Sequence, residues 1–325
     1  MWPYHHRMPF TRLRPSPPGD TLRHTTFANE RLARLGIEVM SLSALWQRVD
    51  PSVMLRAERI DFFMLLLIEH GRGPHMIDFS SFTLQPGSLV FIQPGQVQQW
   101  HPPGRLQGLM LMVDPRVMNP DTTRSALQRS LAREWQFWPA HAVLPPHARP
   151  AVRRWLQQLA DECAGYDDSD LSVLLIRSML SCLLLQAARV HAACSVLAGD
   201  VAPGDSALMR VLLGAIGARL RERPTVRSLA AELGYSVSSL NRACLASEGR
   251  SAKAVIDRRV ALEAQRLLVH SHDAAAQIGL SLGFSEPTNF LKFFKRVTGT
   301  SPERFRQRYG SAPPRAPTAA RSPRP

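Results

Sequence analysis

Near the C-terminus, apolar residues recur with the period of helices that are interrupted by glycine turns. Between Asp273 and Leu282 they form one stripe, and Gly283 follows the last of them, as expected for a left-handed helix end. Ser285 is the predicted N-cap of a second helix, which carries phenylalanines on one face and polar residues on the other. The pattern predicts a helix-turn-helix, a unit that places its second helix in the major groove of DNA.

The two faces of that second helix differ in residue type. The side predicted to be buried carries Phe290, Phe293, Phe294 and Val297. The outward side carries Thr288, Asn289, Lys292, Lys295 and Arg296. An ordinary helical hairpin with a basic solvated face would show the same alternation. The agreement of cap, turn and stop residues favours the helix-turn-helix.

A weaker copy of the pattern lies about fifty residues upstream. A short helix from Thr225 ends at Gly234, and Ser236 is the predicted N-cap of a helix that runs to about Ser247. The outward residues of that helix are Ser238, Ser239, Asn241 and Arg242. Residues 252–269 between the copies are predicted to form one long helix. Two units joined by a rigid helix should enter successive major grooves on one face of DNA, roughly 34 Å apart.

The segment from Leu208 to Arg308 resembles the double helix-turn-helix domain of AraC/XylS-type transcriptional regulators. The residues that carry this resemblance in the second unit are Gly283-Phe284, Asn289-Phe290, Phe293-Phe294-Lys295-Arg296, Gly299, Ser301-Pro302 and Phe305-Arg306. In the first unit they are Leu229-Ala230, Gly234-Tyr235-Ser236, Leu240 and Ala264. The sequence departs from the family pattern at Gly279, where alanine is usual, and at Ala243-Cys244, where a bulky pair is usual.

The resemblance also implies roles for individual residues. Ser238, Ser239 and Arg242 occupy positions that face base edges in the family, with Asn241 nearby. The corresponding positions of the second unit hold Pro287, Thr288 and Lys292. Because proline has no N–H to donate, Thr288, Asn289 and Lys292 are expected to carry readout there. Lys295 and Arg296 complete the predicted DNA-binding set, and this unit is expected to depend more on phosphate contacts.

The N-terminal part of the chain, from residue 30 to about 115, has the pattern of many short strands. Ile60 to Glu69 is a nearly continuous apolar run, typical of a strand buried on both faces. Strands are also predicted at Gly36–Leu42, His75–Phe79, Phe82–Leu84, Ser88–Ile92 and Leu106–Val113, separated by Pro-Gly and Gly turns. This spacing indicates a small β-barrel. Most of the region resembles the cupin-like sensor domain that precedes some AraC-type DNA-binding domains.

A cupin-like barrel raises the alternative of a metal-dependent enzyme fused to a DNA-binding domain. The resemblance would then imply two histidines one residue apart, but His70 and His75 are five apart and His101 stands alone. We expect these histidines to lie at turns and edges, and we expect neither a metal nor another cofactor. Phe62, Phe63, Phe91 and Trp100 could line a small-molecule pocket, but we expect most of them to fill the core. Cys163, Cys182, Cys194 and Cys244 lack metal or disulfide spacing and are read as free thiols of a cytoplasmic protein.

After Pro150 the pattern becomes helical, with one long apolar helix from about Leu171 to Cys194. Such a helix needs partners on two sides. The barrel would cover one side, and we expect a second subunit to cover the other, as the family resemblance also implies. Burial within the sensor domain alone is the monomeric alternative. Because Arg177 and Arg189 interrupt the helix, no membrane span is expected.

The charge is unevenly distributed: the chain is formally +14, and residues 208–310 carry +9 of it, whereas residues 30–207 carry −1. Basic charge thus concentrates where DNA is expected to bind. The sequence predicts an α+β protein of two domains: a basic tail (1–29), a cupin-like sensor and dimerisation domain (30–195), a linker (196–207), a double helix-turn-helix domain (208–310) and a second basic tail (311–325).

These features together predict a sequence-specific transcriptional regulator that responds to a small-molecule effector. Its expected partners are double-stranded DNA, a second copy of the chain, and RNA polymerase if it activates transcription. A regulator without a ligand, whose barrel only dimerises, is the closer alternative, and the cupin enzyme is the other.

Overall fold

Two five-stranded sheets make up the N-terminal part of the protein. The structure is a computed structural model that describes residues 23–49, 55, 57–101, 106–118, 138–197 and 203–309. The strands are β1 (Arg23–Thr25), β2 (Ile37–Ser41), β3 (Glu58–Ile60), β4 (Phe63–His70), β5 (Gly73–Ile77), β6 (Ser80–Leu84), β7 (Ser88–Ile92), β8 (Val97–Trp100), β9 (Gln107–Val113) and β10 (His141–Val143). The first sheet has the order β1-β3-β8-β5-β6, and the second has the order β10-β7-β4-β9-β2. All pairs are antiparallel except β1 with β3.

The second sheet is buried on both faces, as the apolar run of β4 predicts. One face of β4 presents Met64 and Leu66 to the space between the sheets, where Phe62 and Trp100 are also buried. Its other face presents Leu65 and Leu67 to a cluster shared with the helices that follow. Alternate side chains therefore serve two cores, which explains why the strand lacks polar alternation. The expectation that the barrel aromatics mainly fill the core is confirmed for Phe62 and Trp100.

Among its described residues, this domain has the α-helices α1 (Leu42–Arg48), α2 (Arg149–Ala164) and α3 (Asp170–Leu197). On α3, Leu180, Leu183 and Leu184 pack in the same cluster as the outer face of the second sheet. Residues 170–190 are long and apolar enough to cross a membrane by length and composition alone. A helix in the core of a soluble protein passes the same test, so this single match is weak evidence for a membrane span; one third of the window is buried inside the protein.

The structure corrects two of the predicted boundaries. The tail predicted over residues 1–29 is wrong at its end, because Arg23–Thr25 forms β1 and Asn29 is buried. The linker predicted over 196–207 is too long, because α3 continues to Leu197 and the next helix starts at Pro203. Residues 1–22 and 310–325 lie outside the described residues. The strand β1 is missed because its parallel partner β3 lies more than thirty positions away in the chain.

The expectation that the histidines occupy turns and edges is wrong for His75. This side chain is fully buried in β5, which pairs with β6 on one side and β8 on the other. Its ring lies 4.4 Å from that of Trp100, centroid to centroid. No group of three potential metal ligands occurs among the described residues.

The C-terminal part is helical. It consists of α4 (Pro203–Ala218), α5 (Val226–Leu233), α6 (Val237–Glu248), α7 (Ala252–His270), α8 (Ala275–Ser281), α9 (Pro287–Thr298) and α10 (Pro302–Tyr309). A single apolar cluster draws side chains from all of these helices, with Leu212 and Ile216 from α4, and Val255 and Val260 from α7. The two predicted helix-turn-helix units are α5 with α6 and α8 with α9, and they are named the first and second reading units. The long helix predicted between them is present as α7.

Candidate nucleic-acid interface

The first reading unit is formed by α5 and α6. A capping box starts α5, since Thr225 Oγ1 accepts from the backbone N–H of Ser228 and Ser228 Oγ accepts from that of Thr225. Gly234 ends the helix at a φ of +71°, a conformation that suits glycine. Ser236 then caps α6 by accepting from the backbone N–H of Ser239 at 3.0 Å. The turn and caps predicted from the sequence are thus all present.

The outward face of α6 carries Ser238 and Arg242, while Leu240 and Cys244 are buried beneath it. Ser239 is half-buried, and its hydroxyl lies 2.9 Å from that of Ser236. Asn241 is also half-buried, and its side-chain carbonyl accepts from the backbone N–H of Ala252 at 2.9 Å. Asn241 thus ties α6 to the start of α7, a contact that the sequence analysis did not foresee.

The second reading unit is formed by α8 and α9. Gly283 lies between them at a φ of +80°, and a Cβ at this position would meet the Arg221 carbonyl oxygen at 2.5 Å. Both constraints require glycine. The N-cap of α9 is Glu286, without a side-chain cap, rather than the predicted Ser285. Pro287 occupies the first turn of α9 and fixes the helical φ, so the helix begins without a serine cap.

The outward face of α9 is basic. Thr288, Asn289, Lys292, Lys295 and Arg296 are all exposed, as predicted. Lys292 and Lys295 make no ion pair among the described residues. Arg296 instead pairs with Asp257 of α7 at 3.0 Å, and its guanidinium lies over the Phe293 ring at 5.5 Å. The two lysines are therefore the cations of this helix most available to a phosphate or a base.

The inward face of α9 holds the two helices of the second unit at close range. Phe290 and Phe294 are fully buried, and their rings lie 5.9 Å apart. A Cβ on Gly279 of α8 would meet Phe290 Cβ at 2.7 Å. This close approach of α8 and α9 explains why the chain has glycine at position 279, where the family usually has alanine.

The two units repeat the same outward geometry at a spacing of fifty residues. Ser238 and Arg242 lie one helical turn apart on α6, as Thr288 and Lys292 do on α9, and all four are exposed. Their electrostatic surroundings differ, because Arg242 Nε donates to Asp205 Oδ1 of α4 at 3.2 Å. This partner was not predicted, because Asp205 lies 37 residues away in the chain, at a position predicted to belong to the linker.

Comparison with known proteins gives matches for both domains. A model described as "AraC-like ligand binding domain" matches residues 50–179, and one described as "Helix-turn-helix domain" matches residues 229–308. The chain belongs to the AraC/XylS-type family of transcriptional regulators. It is a DNA-binding regulator whose sensor domain is of the ligand-binding type.

Curated relatives of this AraC-type regulator are themselves regulators of transcription. The HTH-type transcriptional activator RhaS of Escherichia fergusonii is 26% identical over 250 residues, which are 76% of this chain and 86% of that protein. RhaS of Citrobacter koseri is 24% identical over the same shares of the two chains. Neither relative is named as an enzyme.

Solved structures of AraC-type proteins also match. A transcriptional regulator with an AraC-type DNA-binding domain from Chromobacterium violaceum is 20% identical, covers 33% of this chain and 96% of its own, and has a TM-score of 0.31. Apo ToxT K231A from Vibrio cholerae is 14% identical, covers 77% of this chain and 90% of its own, and has a TM-score of 0.36.

Proposed function

We propose that this AraC-type regulator binds an operator of two half-boxes that lie in successive major grooves. The observation that carries the proposal is the repeated outward face of α6 and α9 on one rigid scaffold, which the long helix α7 joins. The domain charge of +9 over residues 208–310 supports binding to the phosphate backbone. Sequence readout is assigned to Ser238, Ser239 and Arg242 of α6 and to Thr288, Asn289 and Lys292 of α9.

Other basic residues position the protein rather than read bases. Lys295 and Arg296 lie further along α9 and are assigned to phosphates. Arg242 and Lys292 are the residues most suited to guanine, because each can donate to the O6 and N7 acceptors in the major groove. Asn241 is assigned to a contact near the bases. Its side-chain carbonyl already accepts from the backbone N–H of Ala252 in α7, so its NH₂ group would make this contact.

Selection of bound duplexes from a random pool, with the full chain at physiological salt, tests this function. Two conserved half-boxes one helical turn apart are the expected result. A duplicated motif would add evidence for a dimer on the DNA. Salt-sensitive binding to all duplexes without enrichment would count against sequence-specific readout.

Replacing Arg242 by alanine is expected to weaken operator binding by roughly 1–3 kcal/mol and to relax the preference at one base pair. The reason is that a guanidinium that donates to a base edge is lost together with its discrimination. Affinities are measured by titration of the selected operator, its single-base variants and a scrambled duplex of the same length. Equal losses on operator and scrambled DNA would instead assign Arg242 to a phosphate.

The sensor domain is proposed to bind the small-molecule effector in the space between its two sheets. His75 and Gln98 are almost fully buried there, and both ring nitrogens of His75 and Oε1 of Gln98 have no hydrogen-bond partner among the described residues. Buried polar atoms of this kind favour a ligand with hydrogen-bonding groups. A ligand that raises the melting temperature would support this proposal over a barrel that serves only for dimerisation.

The protein is further proposed to act in the cytoplasm as a homodimer and to have no enzymatic activity. The RhaS relatives are named as transcriptional activators. If this protein also activates transcription, it is proposed to contact RNA polymerase.

The surface that supports dimerisation is a stripe on α3. Leu171, Leu174 and Leu175 are 78%, 65% and 48% exposed. Ser178 and Cys182 continue the stripe. From Leu171 the spacing of 4, 3 and 4 residues through Leu175, Ser178 and Cys182 is that of a helix that packs along a second helix.

Replacing Leu174 by glutamate is expected to weaken self-association at least about tenfold, because a carboxylate would be buried in the interface without a partner. Sedimentation velocity of the full chain over a concentration series measures the effect. Leu280→Glu is the matched control, since it makes the same change at an exposed leucine of α8. A wild-type protein that stays monomeric, or equal dimerisation of both variants, would exclude this stripe as the interface.

A further inference from the structure

The hairpin turn between β5 and β6 joins the sensor barrel to the DNA-binding domain. Its two turn residues, Asp78 and Phe79, have φ values of +46° and +63°. Such a turn matches the twist of the strands but normally selects residues such as Asn-Gly, because side chains are disfavoured at positive φ. The presence of a carboxylate and a phenyl ring at this tip therefore calls for another explanation than turn formation.

The carboxylate of Asp78 is held from both domains. Arg266 of α7 donates to it twice, from Nε at 3.1 Å and from Nη2 at 2.6 Å. From the barrel side, Gln96 Nε2 donates at 2.6 Å and the backbone N–H of Val97 donates at 3.2 Å. The two side chains of the ion pair are only 10% and 25% exposed, so the forked contact is well shielded from water.

The phenyl ring of Phe79 makes the second contact. It packs edge-on against Phe305 and Tyr309 of α10, with ring centroids 4.8 and 5.1 Å apart. Behind the tip, Met76 and Val97 on the outer face of the first sheet join the apolar core of the DNA-binding domain. The Asp78-Phe79 tip thus contacts two helices of the DNA-binding domain. One is α7, which links the two reading units, and the other is α10, which packs on α7.

The same strand also reaches the proposed effector site. His75 and Ile77 of β5 face the space between the sheets, whereas Met76 between them faces the DNA-binding domain. Side chains alternate along a strand, so His75 and Met76 face opposite sides of β5. We expect a ligand that hydrogen-bonds to His75 to displace this strand, and with it the Asp78-Phe79 tip. One element therefore contacts the sensor interior on one face and the reading scaffold on the other.

We propose that the Asp78-Phe79 tip is a latch that holds the DNA-binding domain in an orientation of low operator affinity until β5 moves. This inference rests on the proposed function. The docked tip fixes α7 and α10 against the barrel, so the reading units are free to align with DNA only in the fraction of molecules whose latch is open. Apparent affinity falls in proportion to that fraction.

The hairpin offers a variant that opens the latch without harming the barrel. Asp78→Asn with Phe79→Gly creates an Asn-Gly turn, which favours the same backbone while it removes the ion pair and the aromatic contact. Thermal unfolding of this variant is expected to show an intact sensor domain. Without any effector it should bind the selected operator about fivefold more tightly or better, the lower end of usual coupling between sites.

Arg266→Gln tests the other side of the contact. Loss of a positive charge from the DNA-binding domain by itself weakens DNA binding, whereas opening of the latch strengthens it, so a gain in affinity identifies the latch. Arg258→Gln, an exposed position on the same helix, makes the same change in charge and is expected to bind equally or more weakly. Wild-type or weaker affinity in both latch variants would overturn the proposal.

Hydrogen exchange separates failure of the latch from failure of the proposed function. Amides of residues 262–269 are expected to exchange faster in both latch variants than in wild type and in Arg258→Gln. If no protein prefers the operator over a scrambled duplex, the proposed DNA readout fails. Equal exchange in every protein would then also refute the docked tip.

Discussion

Replacing Phe294 by alanine is expected to lower the free energy of unfolding of the DNA-binding domain by about 3–5 kcal/mol. The side chain is fully buried, and its ring lies 5.9 Å from that of Phe290 and 5.7 Å from that of Phe305. Its loss removes apolar burial and leaves a cavity where α9 and α10 meet. Because this packing holds α9 in place, operator binding should fall together with stability. Denaturant unfolding, followed by far-UV circular dichroism, measures the change in the free energy of unfolding.

The matched control is Leu291→Ala on the same helix. Leu291 is 37% exposed, so its truncation is expected to change stability by no more than about 0.5 kcal/mol. If both variants lose a similar amount of unfolding free energy, α9 does not pack on the domain through its phenylalanine face. Normal stability of Phe294→Ala would contradict the packing of the second unit directly.

Acidification from pH 7 to pH 5 is expected to destabilise the sensor domain by about 2 kcal/mol through His75 alone. Burial, and then the nearby positive charges of His101 and His141, lower the pKa of His75 to about 3. In the unfolded chain the ring titrates near its usual 6.5. Below that value the unfolded state binds a proton that the folded state refuses. Stability is therefore full above about pH 6.5 and is lost progressively as the pH falls toward 3.

Substitution of His75 by phenylalanine isolates this contribution. The ring volume is largely kept beside Trp100 while the titration is removed. Denaturant unfolding is measured at several pH values. Between pH 7 and pH 5, the free energy of unfolding should fall by about 2 kcal/mol less in the variant than in the wild type. A residual slope is expected from His141, because burial also lowers its pKa. An unchanged slope would show that His75 is not buried in its neutral form.

The helical domain could be predicted in detail because its signals are local. Gly234, Gly283 and Gly299 end or follow helices at positive φ, and Ser236 caps the helix after it, as the sequence indicates. Each of these features depends on residues within one or two turns. The one error in this set, the cap of α9, arose where Pro287 and Ser285 offered competing signals.

The barrel was predicted less completely because its strands pair across the chain. The apolar run of β4 was recognisable, but β1, β3, β8 and β10 have three or four residues each and little pattern of their own. His75 was predicted to lie at a turn or an edge. Its burial depends on Trp100, which lies 25 positions away in the chain and is its partner in the pairing of β5 with β8.

The sequence by itself determined that this protein is a DNA-binding regulator with two helix-turn-helix units, and that Ser238 and Arg242 of α6 and the basic side of α9 point outward. Helix periodicity and caps are fixed by near neighbours, so they are written in short stretches of the chain. Only the tertiary structure decided that Arg242 pairs with Asp205, that Asn241 holds α7, and that Asp78 meets Arg266 across 188 positions. Such contacts arise when separate elements pack together, and no local pattern of residues specifies their partners.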